Sequence, residues 1–105
     1  MKRKSNNLSK LERNRKSLFT DDLKHCIVSD CHSDYKVTLH EIYPGRNRQN
    51  SMRYNLCIPL CLLHHHNIKN RDFVMDKAWK IKGQLKWEET RSRKEFIDIF
   101  KRSYL

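Results

Sequence analysis

The sequence lacks the long apolar segments that are typical of membrane proteins. No apolar run approaches the roughly 20 residues that a bilayer-spanning helix needs. The basic residues at its start are not followed by the apolar stretch of an export signal. We therefore expect a soluble, cytoplasmic protein with no membrane partner. In that reducing compartment, the 4 cysteines and 6 histidines favour metal binding over disulfide bonds.

Acidic residues are scarce as well. Only 12 Asp and Glu stand against 23 Lys and Arg, so the 105 residues carry a formal net charge of +11. Such an excess suits a polyanionic partner such as nucleic acid. Apolar residues make up 37% of the chain, which is enough for one modest core. Because a domain of this size buries little apolar surface, it commonly needs a bound metal or a partner for stability.

The basic residues are densest in the first 16 positions, which contain a single acidic residue, Glu12. We interpret residues 1–16 as a basic N-terminal arm and residues 17–105 as the domain. Two hypotheses for the arm stay open. Its leucines have loosely helical spacing, which is typical of a helix that lies on DNA or in a partner's groove. A disordered, solubilising tail has the same composition.

Most of the groups that can do chemistry lie between residues 36 and 70. The short, β-branched stretch from Val37 to Ile42 predicts a strand that carries His40 and Glu41 to the turn at Pro44-Gly45. A basic loop follows, and Leu56 to Leu60 predicts a second strand, with its proline marking an edge or irregular strand. A histidine-rich helix start comes next. The sequence therefore predicts an α+β domain built on a strand-strand-helix (ββα) unit.

Cysteine and histidine pairs flank this unit on both sides. Cys26 and Cys31 precede the first strand, while Cys61 and His64 follow the second. Thiolates and imidazole are the ligands that Zn²⁺ binds in tetrahedral structural sites. We therefore predict a structural zinc site formed by these four residues. Cys57 is either a core residue or, in place of His64, the fourth ligand, since it lies four positions before Cys61 in a strand.

Four segments resemble successive blocks of a known family: SLFTDDLKHCIVSDC, LHEIYPG-x-NR-xx-S-xx-Y, PLCLLHH and EFIDIFKRSYL. In this order and spacing they are similar to the HNH, or ββα-metal, endonucleases, and in particular to the small HNH proteins of bacteriophages and prophages. The resemblance covers roughly residues 17–105. It implies a treble-clef-like core with structural zinc and C-terminal helices, and hydrolysis of phosphodiester bonds in DNA. Phage packaging or recombination proteins are the partners it suggests.

The resemblance also implies a catalytic site. His40 corresponds to the first ligand of a divalent cation, Mg²⁺ or another such as Mn²⁺ or Ni²⁺, and His65 corresponds to the second. His66 is a candidate third ligand. The family normally has a histidine base where this chain has Glu41, which we expect to activate or position the attacking water. In an alternative arrangement, His40 is the base and the cation is held by His65, His66 and Asn70.

The segment between the strands contributes candidates for loop organisation and for DNA contact. The family's central asparagine fixes this segment through hydrogen bonds to backbone, and Asn47 and Asn55 are the candidates we favour over Asn50. Guanidinium groups of this segment suit the phosphates that flank a cut, although ordinary solvated charge is the competing interpretation. The arginines concerned are Arg46, Arg48 and Arg53.

The last third of the chain has helical periodicity. Apolar residues at spacings of three and four predict a helix whose buried face would contain Phe73, Val74, Ala78, Ile81 and Leu85. A capping box at Ser92 and Glu95 predicts a final helix over residues 93–102. Its apolar residues should pack on the core, namely Phe96, Ile97, Phe100 and Tyr104.

Two further classes of function compete with the metal-dependent endonuclease. A non-catalytic, zinc-stapled module that binds nucleic acid or protein would keep the fold after losing the histidine base. A zinc-ribbon-like RNA-binding protein has support from charge and cysteines alone. Replacing Glu41 by His distinguishes the first two hypotheses, because only an impaired site would gain cleavage.

Overall fold

A computed structural model describes residues 6–105, with side chains from residue 8 onward. The described part contains a two-stranded antiparallel sheet and α-helices on both sides of it in sequence. The predicted α+β class is confirmed. The strands and helices are β1 (Thr38–Glu41), β2 (Cys57–Leu60), α1 (Asn6–Arg13), α2 (Arg48–Arg53), α3 (Leu62–Asn70), α4 (Phe73–Glu88) and α5 (Arg93–Phe100).

The sheet sets the positions of the candidate site residues. Strand β1 pairs with β2 so that His40 lies opposite Ile58 and Glu41 lies opposite Cys57. Strand β2 is buried along its length and leads through Cys61 directly into α3. The predicted order of strand, strand and helix is therefore present. Proline has no backbone N–H to donate to a neighbouring strand, and it is therefore tolerated in edge strands. Both strands of a two-stranded sheet are edge strands, so β2 can contain Pro59.

The segment between the strands is more ordered than the loop that the sequence predicted. Gly45 adopts a positive φ of 66° and begins a 3₁₀ turn that leads into α2. The hydroxyl of Ser51, a fully buried residue of α2, accepts a hydrogen bond from the backbone N–H of Tyr43 at 3.0 Å and donates one to its carbonyl at 2.8 Å. This pair of bonds closes the segment onto the end of β1.

Aromatic residues from three parts of the chain form the centre of the core. Phe96 and Phe100 of α5 stack with ring centroids 4.6 Å apart, and the ring of Tyr43 lies 4.9 Å from that of Phe100. Trp87 of α4 completes the cluster. The predicted packing of Phe96 and Phe100 is confirmed, and Tyr104 packs against the same core. Ile97 is instead 39% exposed.

The prediction for the buried face of α4 was wrong for three of its five residues, whereas Ala78 and Ile81 are half-buried. Phe73, Val74 and Leu85 are 79%, 81% and 52% exposed. The α4 residues that pack in or against the core include Met75, Trp79 and Trp87, which lie on one face at multiples of four positions. With about 3.6 residues per turn, Leu85 lies on almost the opposite side of the helix from Trp87. The larger aromatic side chains therefore decide which face is buried.

A glycine allows α4 to lie close to the sheet. A Cβ atom at Gly83 would lie 2.6 Å from the hydroxyl oxygen of Tyr43. That hydroxyl donates a hydrogen bond of 2.5 Å to the carbonyl of Lys80, one turn earlier in the same helix. The absence of a side chain at position 83 is therefore what admits the buried tyrosine.

Helix α5 and the chain end are fixed by specific hydrogen bonds. The predicted capping box at Ser92 and Glu95 is present, and α5 ends at Phe100 because Lys101 adopts a positive φ of 72°. Gln84 of α4 is fully buried. Its side-chain oxygen accepts a hydrogen bond of 2.6 Å from the backbone N–H of Tyr104.

Part of the predicted basic arm lies outside the described residues. The remainder contains α1, which packs against α2. Arg15, just after α1, reaches β1 with its guanidinium group, which donates to the carbonyl of Leu39 at 3.3 Å. None of the helices in the described part is both long and apolar enough for a transmembrane span.

Candidate functional site

The first pair of cysteines lies on a tight turn before β1. The backbone N–H of Cys31 donates to the carbonyl of Val28 at 3.1 Å, and that of Cys26 donates to the carbonyl of Ser33 at 2.8 Å. Ile27 donates to the carbonyl of Pro59 at 2.9 Å, which attaches the turn to β2. Residues on both sides of Cys31 have positive φ angles, which lets the turn fold back on itself.

The second pair lies at the start of α3. Cys61 is the N-cap residue of the helix and His64 lies in its first turn. Because α3 follows β2 without a loop, the position of Cys61 is fixed by the sheet. The turn at Ile27 is bonded to the same strand, so both pairs are held by β2.

The four predicted zinc ligands form one cluster. Their ligand atoms, from Cys26, Cys31, Cys61 and His64, all lie within 4.8 Å of one another. The Nδ1 atom of His64 is 3.2 Å from Cys61 Sγ and 3.5 Å from Cys26 Sγ, and the Sγ atoms of Cys31 and Cys61 are 3.9 Å apart.

These distances suit a tetrahedral metal. With Zn–S and Zn–N bonds of about 2.3 and 2.1 Å, tetrahedral ligands lie about 3.8 Å apart for two sulfurs and about 3.6 Å apart for sulfur and nitrogen. The cluster therefore fits a metal ion such as zinc. Within the described part of the chain, no other group of three or more Cys, His, Asp or Glu ligand atoms is as close together.

Electrostatics at the cluster favour the metal-binding form of one thiol. Burial raises the pKa of the Cys61 thiol, but hydrogen bonds from the backbone N–H and side chain of His64 and from the other two thiols outweigh it and lower the pKa to about 7. The pKa of Cys26 is raised, chiefly by burial. A thiolate at Cys61 is the species that binds zinc.

Cys57 lies outside the cluster. It is fully buried in β2, where its Sγ lies 4.0 Å from the carbonyl oxygen of Ser51. Burial raises the pKa of this thiol to about 12. The interpretation of Cys57 as a core residue is therefore the one that the structure supports, while His64 occupies the position of the fourth ligand.

A separate cleft of about 570 Å³ holds the other predicted catalytic residues. Strand β1 contributes His40 and Glu41, and α3 contributes His65. Arg15 and α2 form another part of its wall, and α4 closes it with both acidic and basic groups. The polar residues that line the cleft are Arg15, Thr38, His40, Glu41, Arg48, His65, Lys69, Asp76 and Lys80.

His40 is buried and its ring lacks a hydrogen-bond partner at one nitrogen. The residue is 6% exposed, and its Nε2 atom is buried without any partner among the residues that the structure describes. Burial lowers the pKa of His40 to about 4, assisted by the nearby His65. The imidazole therefore favours its neutral form, which is the form that binds a cation. Its ring centroid lies 5.4 Å from that of His65.

His65 is oriented by the first residue of β1. Its Nδ1 atom lies 3.0 Å from the hydroxyl oxygen of Thr38, which leaves Nε2 as the nitrogen available for a ligand. Burial and then the charge of Lys69 lower the pKa of His65, so this imidazole also favours its neutral form. A hydrogen bond at one ring nitrogen that directs the other is the usual arrangement of metal-binding histidines.

The carboxylate of Glu41 is held by two arginines. Its Oε1 atom accepts from Arg15 Nη1 at 2.9 Å and lies 3.3 Å from Arg48 Nε. The side chain is only 13% exposed. Both contacts involve Oε1.

The structure does not bring His66 into this cleft. His66 points to a shallow apolar groove with Tyr35, Leu62 and Leu63, because consecutive helix residues face different sides. Asn70 donates to the backbone carbonyl of His66 at 3.0 Å, within the same helix. The candidate ligand roles of His66 and Asn70 therefore lack the geometry that His40 and His65 have.

The two asparagines proposed to organise the loop act in different ways. The Asn47 side chain donates to the carbonyl of Phe100 at 3.0 Å and so attaches the 3₁₀ turn to the end of α5. Asn55 adopts a positive φ of 62°, and its carbonyl accepts from the backbone of Leu18 at 2.9 Å. We expected an asparagine to close this segment through hydrogen bonds to the backbone. Ser51 makes those bonds instead.

The three loop arginines lie in different places. Arg48 lines the cleft, whereas Arg53 lines a second groove of about 540 Å³ together with Lys10 and Lys16. Arg46 is exposed on the 3₁₀ turn. Of these three loop arginines, Arg48 is the one that contacts Glu41.

Sequence reasoning missed five further polar residues of the cleft, namely Arg15, Thr38, Lys69, Asp76 and Lys80. Arg15 was one of many basic residues in the arm, and no local pattern distinguished it. Asp76 lies in the first turn of α4, where it forms an ion pair of 2.9 Å with Lys80. In the sequence, Asp76 is distinguished only by its spacing of four from Asp72, which caps α4. Acidic residues at that spacing indicate the start of a helix and not a functional site.

No known protein family, curated protein or solved structure matches this chain.

Proposed function

We propose that this protein is a metal-dependent DNA endonuclease of the HNH type, which hydrolyses phosphodiester bonds in the cleft between β1, α3 and α4. The observation that carries the proposal is the buried, unpartnered Nε2 atom of His40 beside His65. An unsatisfied buried polar atom is costly, and such atoms occur at functional sites where a ligand completes them.

The two histidines are suited to hold a divalent cation. Both imidazoles favour the neutral form, which is the form that binds metal. His40 and His65 would bind Mg²⁺ or another divalent cation such as Mn²⁺ or Ni²⁺ through their Nε2 atoms. When bound, such a cation supplies stabilisation of the negative charge that develops on the phosphate and the leaving oxygen.

We assign to Glu41 the role of orienting the attacking water. Arg15 and Arg48 hold its Oε1 atom, so its carboxylate is fixed at the end of β1 next to His40. From there Oε2 can accept a hydrogen bond from the attacking water. A carboxylate is an intrinsically weaker base than imidazole, and positioning of the water is therefore the larger part of its role.

Basic residues around the cleft favour a phosphate backbone. Four cationic side chains line it, two of them from α3 and α4, namely Arg15, Arg48, Lys69 and Lys80. Together with the net charge of +11, they would give sequence-independent affinity for DNA that falls as salt rises.

Cleavage of supercoiled plasmid tests the proposal. Purified protein with its zinc retained is incubated with Mg²⁺, Mn²⁺ or Ni²⁺, or without added divalent cation. We expect metal-dependent nicking or linearisation that is lost in His65→Ala. The neighbouring substitution His66→Ala is the matched control, because His66 lies on the same helix outside the cleft. Failure of the wild-type protein to cut under any of these metals would overturn the endonuclease.

A second candidate function has one observation in its favour. Because Glu41 is already bound by two arginines, the cleft also suits a non-catalytic, zinc-stapled module that binds nucleic acid. The Glu41→His variant separates the two functions. A large gain in cleavage would indicate that the native site lacks a base, whereas lower cleavage would support Glu41 as a working residue of the endonuclease.

A further inference from the structure

The first two residues of α4 are the most exposed large apolar residues among those the structure describes. Phe73 and Val74 are 79% and 81% exposed. Burying an aromatic or branched aliphatic side chain stabilises a protein by about 1.5 to 3 kcal/mol, so leaving two neighbouring ones in water forgoes that gain. Phe73 and Val74 together form what we call the apolar rim.

The apolar rim adjoins the proposed catalytic cleft. Phe73 is one of the residues that line the cleft, together with His40 and His65. Lys69, the second-last residue of α3, lies in the same wall, and Lys80 lies in it two turns after Phe73 on α4. The exposed ring therefore stands at the edge of a site that contains four cationic and two acidic side chains, with Lys80 paired to Asp76.

The rim is held on a well-defined turn. Asp72 caps α4, with its carboxylate accepting from the N–H of Met75 at 2.8 Å. The backbone N–H groups of Arg71 and Asp72 both donate to the carbonyl of Asn67, at 2.8 and 2.7 Å, so the connection between α3 and α4 is closed by hydrogen bonds. Phe73 is thus presented from a fixed helix start.

The surroundings of the rim select the chemistry of its partner. A protein or lipid surface would cover the ring equally well, but the adjacent cleft is lined by four cationic side chains and the chain carries a charge of +11. The partner that is polyanionic and also offers flat apolar surfaces is nucleic acid, whose bases stack on aromatic side chains.

We propose that Phe73, supported by Val74, inserts between bases of the duplex DNA held in the cleft and unstacks the base step next to the phosphate that is cut. The inference rests on the proposed function, because it takes DNA as the occupant of the cleft. Insertion of an apolar side chain kinks a duplex and is cheapest at flexible pyrimidine–purine steps. Cleavage should therefore favour TA and CA steps and mismatched sites over stiff A-tracts.

A duplex with 2-aminopurine at a central TA step tests the insertion, since the fluorescence of this base rises when it is unstacked. Titrations use wild-type protein, Phe73→Ala and Leu85→Ala without added divalent cation, so that no cutting occurs. Leu85 is the matched control, because it is exposed on the same helix and does not line the cleft. We expect wild type and Leu85→Ala to raise the fluorescence. Phe73→Ala should lose the rise and bind about tenfold more weakly.

Two outcomes would overturn the inference. Phe73→Ala could bind and raise the fluorescence as the wild type does, which would remove any role for the ring. Alternatively, sedimentation could show a wild-type dimer that Phe73→Ala abolishes, in which case the rim contacts a second copy of the chain. The result is separable from the endonuclease, because a Phe73-dependent signal from a protein that never cuts would retain the stacking and reject the catalysis.

Discussion

The guanidinium group of Arg15 bonds to the carboxylate of Glu41 at 2.9 Å, across 26 positions of sequence. The same Nη1 atom donates to the carbonyl of Leu39, so Arg15 contacts both the side chain and the backbone of β1. Arg15, near the end of the basic N-terminal segment, is therefore part of the cleft. The Nε atom of Arg48 lies 3.3 Å from the same carboxylate oxygen.

This contact predicts that Arg15 positions Glu41 in the proposed endonuclease. Arg15→Gln should lower kcat by about 10- to 100-fold with a smaller change in KM, because a misplaced catalytic group loses rate more than affinity. Arg15→Lys should recover part of the rate. Arg13→Gln removes the same charge from an exposed residue and serves as the control. Equal effects of Arg15→Gln and Arg13→Gln on kcat and KM would show that Arg15 contributes only positive charge and does not position Glu41.

The cysteine and histidine cluster predicts one zinc ion per chain. Cys31→Ser should abolish stoichiometric zinc and lower the melting temperature by roughly 10 °C or more, since a loss of about 2 kcal/mol has that effect in a domain of this size. Zinc content by elemental analysis and thermal unfolding measure these effects. Cys57→Ala, which alters a buried cysteine outside the cluster, should keep the zinc. Zinc retained by Cys31→Ser would contradict the ligand set.

The close approach of Gly83 to Tyr43 predicts a reversal of the usual effect of alanine. In an exposed helix interior, glycine to alanine stabilises by about 1 kcal/mol. Gly83→Ala should instead destabilise by about 1 to 3 kcal/mol, because the new Cβ meets the buried hydroxyl. Urea unfolding measures the change. The penalty should shrink in a Tyr43→Phe background, and a stabilised Gly83→Ala protein would contradict the packing.

The buried hydroxyl of Ser51 makes a further prediction. Ser51→Ala leaves the N–H and carbonyl of Tyr43 without their partner in the core, at a cost of about 1 to 3 kcal/mol in the free energy of unfolding. Asn55→Ala, at a partly exposed position that the sequence proposed for the same role, is the comparison, although its positive φ adds strain of its own. A loss below about 0.5 kcal/mol in the free energy of unfolding of Ser51→Ala would contradict the role of these hydrogen bonds in closing the segment.

Features with short-range patterns were predictable from the sequence. The paired strands alternate with turn signals, and the capping box of α5 consists of two residues three positions apart. The cysteine and histidine spacings indicated the metal cluster because each pair lies on one turn. The joining of the two pairs then followed from the strands between them, since β2 carries one pair and is bonded to the other.

Features that depend on contacts between distant segments were not predictable. Two sets of apolar residues on α4 compete for the core, and only the position of the helix against Tyr43 and Phe96 decides between them. Arg15 is likewise indistinguishable from its basic neighbours until it meets Glu41. The exposure of Phe73 results from the same competition. The helical periodicity placed Phe73 on the buried face, and the sequence therefore contained no sign that its ring is available for stacking.

The adjacency of His64 and His65 on α3 couples the metal cluster to the proposed catalytic cleft. One imidazole belongs to the cysteine cluster and the next lies in the cleft, so an ion bound at the cluster would hold the helix turn that carries both. Without the ion, His65 would be held by the link from β2 to α3 and by its contact with Thr38. In the proposed enzyme, zinc would therefore tune nuclease activity from outside the cleft, and a zinc-starved cell would hold a less active form of the protein.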